Sequence, residues 1–315
     1  MKNKKLFTLV LTFVLCMAFT LTVSADIGPK PSVNITFENL GDELCYATLL
    51  SERESTGPAS AWDGVKEHAN HNSNPDYAWS ELSYEIWKAF VDYKDSDGYY
   101  YLQETWQINE TKQLNWTYYP PSPFKILLYF PETNTFAISG IYERYAFDSY
   151  YTVDMSGFDI NSVDYDEIKS NDIRYKEWRK ELAVHQSYEI ANELCGLLVR
   201  IILTILIEVF IALLFGFKEK KQLLFILLVN VTTQIILNIL LNIINYNSGG
   251  LVMLFFYIVF EIIVFLSEAV IYSLLMYRIS KGTKNIVICI IYAFAANFLS
   301  FTVGYTICAI WPQVF

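Results

Sequence analysis

Four long apolar stretches near the carboxyl end constrain this chain more than any other feature. Each is long enough to cross the roughly 30 Å hydrocarbon core of a bilayer as a helix, and the connections between them are short. Because short connections make successive helices antiparallel neighbours, domain 196–315 is predicted to be a four-helix transmembrane bundle. The predicted spans are about 196–217, 223–244, 251–276 and 286–311.

Charges in the connections predict how this bundle is oriented. The first connection carries three lysines, the third carries one arginine and two lysines, and the second carries no charge. Since positively charged loops stay in the cytoplasm, we expect the first and third connections inside and the C-terminus outside. The basic residues are Lys218, Lys220, Lys221, Arg278, Lys281 and Lys284.

Residues 1–25 have the pattern of a secretory signal peptide. Three lysines within the first five residues precede an apolar run over 6–23, and small residues end that run. This pattern is typical of a signal peptidase substrate, so we expect cleavage before Asp26. An uncleaved anchor is the alternative, and either outcome exports the domain that follows, in agreement with the loop charges.

Residues 26–157 are predicted to form an extracytoplasmic, mostly-β domain similar to a sandwich. Seven stretches are rich in β-branched and aromatic residues and lie between turn formers, which is typical of strands. A short helix is predicted over 83–93 because its apolar residues share one face, and 53–75 is predicted to be a loop. The predicted strand regions are 33–37, 45–50, 99–108, 114–119, 124–130, 135–142 and 150–153.

Tyrosine and tryptophan are dense in this exported domain. An aromatic surface that stacks on sugars or peptides is one interpretation. We favour burial in the core, because strands prefer aromatic residues and this domain has no disulfide framework to stabilise it. The residues include Tyr99, Tyr100, Tyr101, Trp106, Trp116, Tyr118, Tyr119, Tyr142, Tyr145, Tyr150 and Tyr151.

The segment 95–98, Asp-Ser-Asp-Gly, partly matches a calcium-binding loop, with Glu104 at the last ligand position. However, Tyr93 stands where the first ligand should be, and Asp-Gly is a common turn dipeptide. We therefore favour a turn over a metal site, and we predict no cofactor.

Residues 158–195 are polar, mixed in charge and rich in good helix formers. Such a composition is typical of an exposed helix. We predict a polar stalk or juxtamembrane helix that leads into the first span.

Composition excludes two classes of function. Residues 26–190 contain 28 acidic and 13 basic residues, a net charge of 13 − 28 = −15, whereas nucleic-acid binding needs a basic face. No histidine and no aspartate lie in the spans, so the side chains of intramembrane proteases are missing. We predict neither a nucleic-acid partner nor an enzyme.

Polar side chains inside the spans are the candidate ligand-binding or ion-binding residues. An ionised carboxylate at mid-membrane costs about 2.5 to 3.5 kcal/mol, so these acids must face the bundle interior. They are interpreted either as hydrogen-bonded contacts that hold the helices together or as a proton or cation site. The candidates are Glu208, Asn230, Gln234, Glu261, Glu268 and Asn297.

Three stretches, 51–58, 118–151 and 216–242, resemble an uncharacterised bacterial family of multi-pass membrane proteins with a secreted N-terminal domain. The resemblance covers most of the mature chain. It implies the two-part architecture and supplies no activity and no site residues.

Two functions fit a multi-pass cell-membrane protein of this layout. In the first, the exported domain binds an external ligand or envelope protein, and the bundle anchors it in the lipid bilayer or relays its occupancy. The alternative is a small transporter or channel, homo-oligomeric because four helices rarely enclose a pathway, with Glu208 and Glu261 as a proton or cation site. Tight amide-to-carboxyl pairs favour the first function, and carboxylates around a wet cavity favour the second.

Overall fold

A β-rich domain followed by four long helices makes up the computed structural model, so the predicted fold class is confirmed. The predicted signal peptide lies outside the described residues, as does part of the predicted loop 53–75. The structure describes residues 28–65, 81–170, 173–188, 190–280 and 285–310.

Thirteen strands are found in these described ranges, and one helix, α1 (Glu81–Asp92), lies between the fourth and the fifth. Each predicted strand region overlaps at least one strand, and the predicted helix overlaps α1. The strands are β1 (Ser32–Glu38), β2 (Tyr46–Ser51), β3 (Ser55–Thr56), β4 (Ala59–Ser60), β5 (Tyr100–Tyr101), β6 (Trp106–Gln107), β7 (Gln113–Trp116), β8 (Phe124–Phe130), β9 (Thr135–Ile138), β10 (Asp148–Asp154), β11 (Tyr165–Ser170), β12 (Ile173–Trp178) and β13 (Ala183–Gln186).

The strands form two large sheets and a small β3–β4 ribbon. The first sheet has the order β13-β10-β1-β7, and the second has the order β11-β12-β9-β8-β2-β5, with β6 also paired to β2. Pairing is antiparallel except between β1 and β10 and between β12 and β9. Because β10 lies between β1 and β13, the first and last strands of the domain are held in one sheet.

The main core lies between the two large sheets. Ile35 of β1 and Ile126 and Leu128 of β8 are at most 1% exposed and belong to one cluster. The opposite face of β8 packs against α1, where Leu127 and Phe90 are fully buried. Strand β8 is thus covered on both faces, and the predicted mostly-β domain with one helix is confirmed.

Aromatic side chains fill both layers of this domain. The predicted burial is confirmed for Tyr101, Trp116 and Tyr151, which are at most 9% exposed. Others that the same argument assigned to the core are instead exposed by more than a third, because they lie on outer faces and in loops. They are Tyr100, Tyr118, Tyr119 and Tyr150.

Residues 158–195 do not form the predicted polar stalk. Strands β11 and β12 form a hairpin at the edge of the second sheet, and β13 joins the first sheet beside β10. Tyr175 and Trp178 are buried, and the Trp178 ring packs on Phe158 at 5.0 Å between centroids. Such burial overrides helix propensity, which is a weak preference. The predicted helix was wrong up to Gln186, where the β domain ends, and only the residues from Ile190 onward are helical.

Within the described part of the chain, four helices are long and apolar enough to cross a membrane. Helix α4 continues through a π-helical turn over Tyr272–Met276. Helices α2 and α4 each pack against both α3 and α5, so the four form an antiparallel bundle with a shared interior, and the predicted spans are confirmed as helices. They are α2 (Ile190–Leu214), α3 (Lys220–Ser248), α4 (Gly250–Ile271) and α5 (Ile286–Ile310).

The β domain contacts the bundle at the connection between α3 and α4, and we call this the docking contact. The Phe147 N–H donates to the Tyr246 carbonyl oxygen at 2.8 Å, while the Phe147 carbonyl accepts the Ser32 N–H at 3.0 Å. The rings of Tyr145 and Tyr188 lie 6.4 and 6.1 Å from the Tyr246 ring. The bundle end where α2 begins and α3 meets α4 therefore faces the β domain.

Candidate functional site

Polar side chains from all four helices meet inside the bundle. Five of the six predicted candidates are at most 6% exposed, whereas Glu261 is half-buried. The pairs on α3 and on α4 are spaced four and seven residues apart, which keeps each pair on one face of its helix. The five buried residues are Glu208, Asn230, Gln234, Glu268 and Asn297.

The Glu268 carboxyl group joins three helices. Its Oε1 accepts the Thr233 hydroxyl of α3 at 2.7 Å, and its Oε2 accepts the Asn297 amide of α5 at 2.7 Å. The Asn297 amide also donates to the Ala293 carbonyl of its own helix at 3.0 Å. Thr233 was missed in the sequence, although it lies three residues after Asn230 and so shares its helix face.

Glu208 lies in the same buried region but has different surroundings. Both of its carboxyl oxygens and the Asn230 Oδ1 are buried and make no hydrogen bond of normal geometry within the described residues. The Glu208 carboxyl lies against the Asn230 side chain and within electrostatic range of Glu268. The Asn230 amide nitrogen donates to the Tyr272 hydroxyl at 3.1 Å and to the Ile226 carbonyl at 3.0 Å.

Tyr292 is a second residue that sequence reasoning missed. Its hydroxyl donates to the backbone carbonyl of Glu208 at 3.4 Å, and its ring lies 5.4 Å from that of Tyr272. An aromatic residue in an apolar span carries no local signal of a polar contact, so only the packing of α5 against α2 and α4 reveals this role.

A small polar cavity lies between Glu208 and the end of the bundle that faces the β domain. Its volume is about 20 Å³, which is room for one water molecule. Arg200 donates from Nη1 to the Asn238 Oδ1 at 2.9 Å on its wall. Glu261, which belongs to α4 like Glu268, lines this cavity. The polar lining is Arg200, Thr204, Gln234, Asn238, Tyr257, Glu261 and Ser300.

A larger cleft of about 330 Å³ lies in the β domain beside the end of α1, and we call it the aromatic cleft. Trp62 and Tyr100 line it and are 38% and 39% exposed. The Trp62 ring is supported by an edge contact with Trp87 at 5.4 Å. Asp92 and Asp95 add carboxyl groups to the lining. The cleft thus presents accessible rings, whereas its two carboxyl groups are buried.

Lys125 binds the turn that leads from α1 to this cleft. Its Nζ lies 2.8 Å from Asp95 Oδ1 and 2.5 Å from Asp97 Oδ2. Asp95 Oδ2 also accepts the N–H groups of Asp97 and Tyr99. Burial lowers the pKa of Lys125, but the hydrogen bonds to the two carboxylates outweigh it and hold this pKa above its ordinary value. The predicted turn is confirmed, and a lysine ammonium group lies between the carboxylates that resembled calcium ligands.

A further carboxyl group lies behind the cleft. Tyr93, which lines the cleft, donates its hydroxyl to Glu177 Oε2 at 2.8 Å. Burial raises the pKa of Glu177 above its ordinary value, against the opposing effect of this hydrogen bond. The acid behind the cleft therefore binds a proton more readily than an exposed glutamate does.

Comparison with known proteins gives no further assignment. No protein-family model, no curated protein and no solved structure matches this chain significantly. The resemblance to an uncharacterised bacterial family therefore stays a prediction, and function has to be argued from the two sites.

Proposed function

We propose that this chain is a multi-pass protein of the cell membrane whose exported β domain binds a small external ligand, and whose bundle anchors it and relays occupancy. The aromatic cleft supports binding, because its volume of about 330 Å³ falls in the range of roughly 300 to 1,000 Å³ for small-molecule sites. Trp62 and Tyr100 offer rings for stacking on sugars or peptides.

The docking contact supports the proposal that the bundle relays ligand binding. A domain joined to its anchor by a flexible tether alone could not transmit a change in shape. Here a backbone hydrogen bond from Phe147 to Tyr246 and two tyrosine rings connect the first sheet to the α3–α4 connection. A ligand-induced shift that reaches the first sheet would therefore displace the ends of α3 and α4.

The packing of the bundle favours an anchor over a transport pathway. The Glu268 carboxyl is held by direct bonds from Thr233 and Asn297, which is the tight pairing expected of helix-to-helix contacts. The polar cavity beside it, at about 20 Å³, is too small for a continuous water path. The alternative of a small oligomeric transporter or channel has correspondingly less support.

An exported β domain is supported by the distribution of basic residues. Lys218, Lys220 and Lys221 precede or begin α3, and Arg278 lies just after the π-helical turn of α4. In the antiparallel bundle these positions lie at the end opposite the docking contact. The positive-inside rule assigns that end to the cytoplasm.

Thiol labelling in intact cells tests this orientation. With the native cysteines replaced, Val163→Cys in the β domain, where Val163 is 86% exposed, should react with a membrane-impermeant maleimide. Lys221→Cys, at the opposite end of the bundle, is exposed and should react only after permeabilisation. The reverse pattern would contradict an exported β domain.

Ligand binding is tested on the full-length chain in lipid nanodiscs. A panel of monosaccharides, disaccharides, amino acids and short peptides is screened by thermal unfolding. A ligand at about 100 times its Kd should stabilise the protein by roughly 2.7 kcal/mol. Trp62→Ala should abolish that shift. Tyr118→Ala removes an aromatic side chain that is 37% exposed and does not line the cleft, so it should retain the shift. Equal loss in both variants, or no stabilising compound, would count against the cleft.

A further inference from the structure

Three oxygen atoms inside the bundle share an unusual environment. Glu208 Oε1, Glu208 Oε2 and Asn230 Oδ1 are all buried and make no hydrogen bond of normal geometry within the described residues. Both residues are only 1% exposed. A buried polar atom without a partner costs about 1 to 3 kcal/mol, so this grouping needs a physical explanation.

The orientation of the Asn230 amide is determined by its other contacts. Its Nδ2 donates to the Ile226 carbonyl oxygen, which can only accept, so the nitrogen must lie on that side. The same Nδ2 donates to the Tyr272 hydroxyl. The Oδ1 that remains is an acceptor, and the neighbouring Glu208 carboxylate would be an acceptor as well.

We propose that Glu208 binds a proton in the core of the bundle and that its O–H group donates a hydrogen bond to Asn230 Oδ1. A single proton gives the carboxyl group a donor for the neighbouring amide oxygen, and it removes the charge of a carboxylate that would be expensive at this depth. This site goes beyond the proposed ligand binding and does not depend on it.

A metal cation fits these surroundings less well than a proton. Hard cations such as Ca²⁺ take six to eight oxygen ligands, whereas Glu208 and Asn230 supply three. No group of three or more His, Cys, Asp or Glu side chains able to hold a metal ion is found in the part of the chain that the structure describes. A proton on Glu208 needs neither a set of oxygen ligands nor a cavity.

Glu268 provides the contrast that assigns the proton to Glu208. Both Glu268 oxygens accept hydrogen bonds, from Thr233 and from Asn297, which suits a group that acts only as an acceptor. Two acids in one buried region whose surroundings differ in this way divide the acid and base roles between them. The other titratable groups around Glu208 are Glu261 and Tyr272 of α4 and Tyr292 of α5.

A polar cavity lies close to Glu208, on the side of the bundle that faces the β domain. Thr204 lies one turn before Glu208 on α2 and lines the polar cavity of about 20 Å³. Residues four apart share a helix face, so this cavity comes within one helical turn of the carboxyl group. Arg200 and Glu261 line the same cavity.

Infrared spectroscopy on the full-length protein in nanodiscs tests the assignment at neutral pH. The wild type should show the C=O stretch of a protonated carboxyl group, shifted on transfer to D₂O. Glu208→Gln should lose this band, and Glu268→Gln, the matched control on α4 in the same buried region, should retain it. A band that persists in Glu208→Gln, or disappears in Glu268→Gln, overturns the proposal.

A second measurement covers the stability of the variants and the metal alternative. Glu208→Gln keeps a donor for Asn230 Oδ1, so its melting temperature should match that of the wild type. Glu208→Leu removes the donor and should melt lower. Replacing sodium and potassium by choline should leave the wild type unchanged. A choline-dependent loss of stability, or a Glu208→Gln protein as unstable as Glu208→Leu, would contradict a bound proton. Absence of ligand binding in the aromatic cleft would not bear on either result.

Discussion

Lys125→Met is expected to destabilise the β domain by about 3 to 5 kcal/mol, the usual effect of removing one partner from a buried ion pair. The Lys125 and Asp95 side chains are only 5% and 1% exposed, and their charged atoms lie 2.8 Å apart. Methionine replaces the apolar stem of the lysine but leaves Asp95 buried without a counter-charge. Thermal or denaturant unfolding, followed by tryptophan fluorescence, measures the loss.

Two further variants test whether the loss of stability in Lys125→Met comes from the unpaired charge of Asp95. Arg179→Met removes a cation whose partner Asp166 is exposed, and solvent screens such a pair, so it should have little effect. Asp95→Asn in the Lys125→Met background removes the uncompensated charge, and an asparagine oxygen can still accept the N–H groups of Asp97 and Tyr99. Recovery of part of the lost stability is expected. A double variant less stable than Lys125→Met would contradict this explanation.

The membrane part of the fold could be predicted because its cause is local. A bilayer imposes a minimum length and a minimum apolarity on each span, and both can be read from consecutive residues. The same cost of burying a polar group also predicts that Glu208 and Glu268 face inward. These statements need no knowledge of how the helices are rotated against one another.

The partners of these acids could not be predicted, because they depend on that rotation. Thr233 and Asn297 meet Glu268 from two other helices, and no pattern within one span specifies the pairing. The different environments of Glu208 and Glu268 have the same origin. The sequence therefore predicts candidate residues correctly as buried, but it does not say which of them already have hydrogen-bond partners.

In the β domain the limit of prediction is non-local pairing. Strands β1 and β10 are parallel neighbours although more than a hundred residues separate them, with Ser32 opposite Asp148. Strands β11 to β13 were missed because their charged residues are good helix formers, and only pairing with β9 and β10 shows which aromatic side chains become buried. The docking contact joins Phe147 to Tyr246 across a similar separation.

Gly249→Ala is expected to separate the β domain from the bundle. Gly249 has φ 80° and ψ 169°, a backbone region that is essentially restricted to glycine and costs other residues about 1 to 3 kcal/mol. A Cβ atom there would also lie 2.6 Å from two carbons of the Phe147 ring, closer than carbon atoms can approach. The ring must therefore move, and the Phe147 hydrogen bond to Tyr246 should break.

Hydrogen exchange at the Phe147 amide measures this separation, because exchange follows the opening of the bond that the amide donates. Gly250→Ala is the matched control, since a Cβ at the adjacent position meets only the Asn245 Oδ1 at 3.8 Å. Faster exchange at Phe147 is expected in Gly249→Ala alone, with α3 and α4 unchanged in their protection. Equal protection in both variants would mean that the Phe147 hydrogen bond survives a Cβ atom at position 249, which would contradict the expected separation.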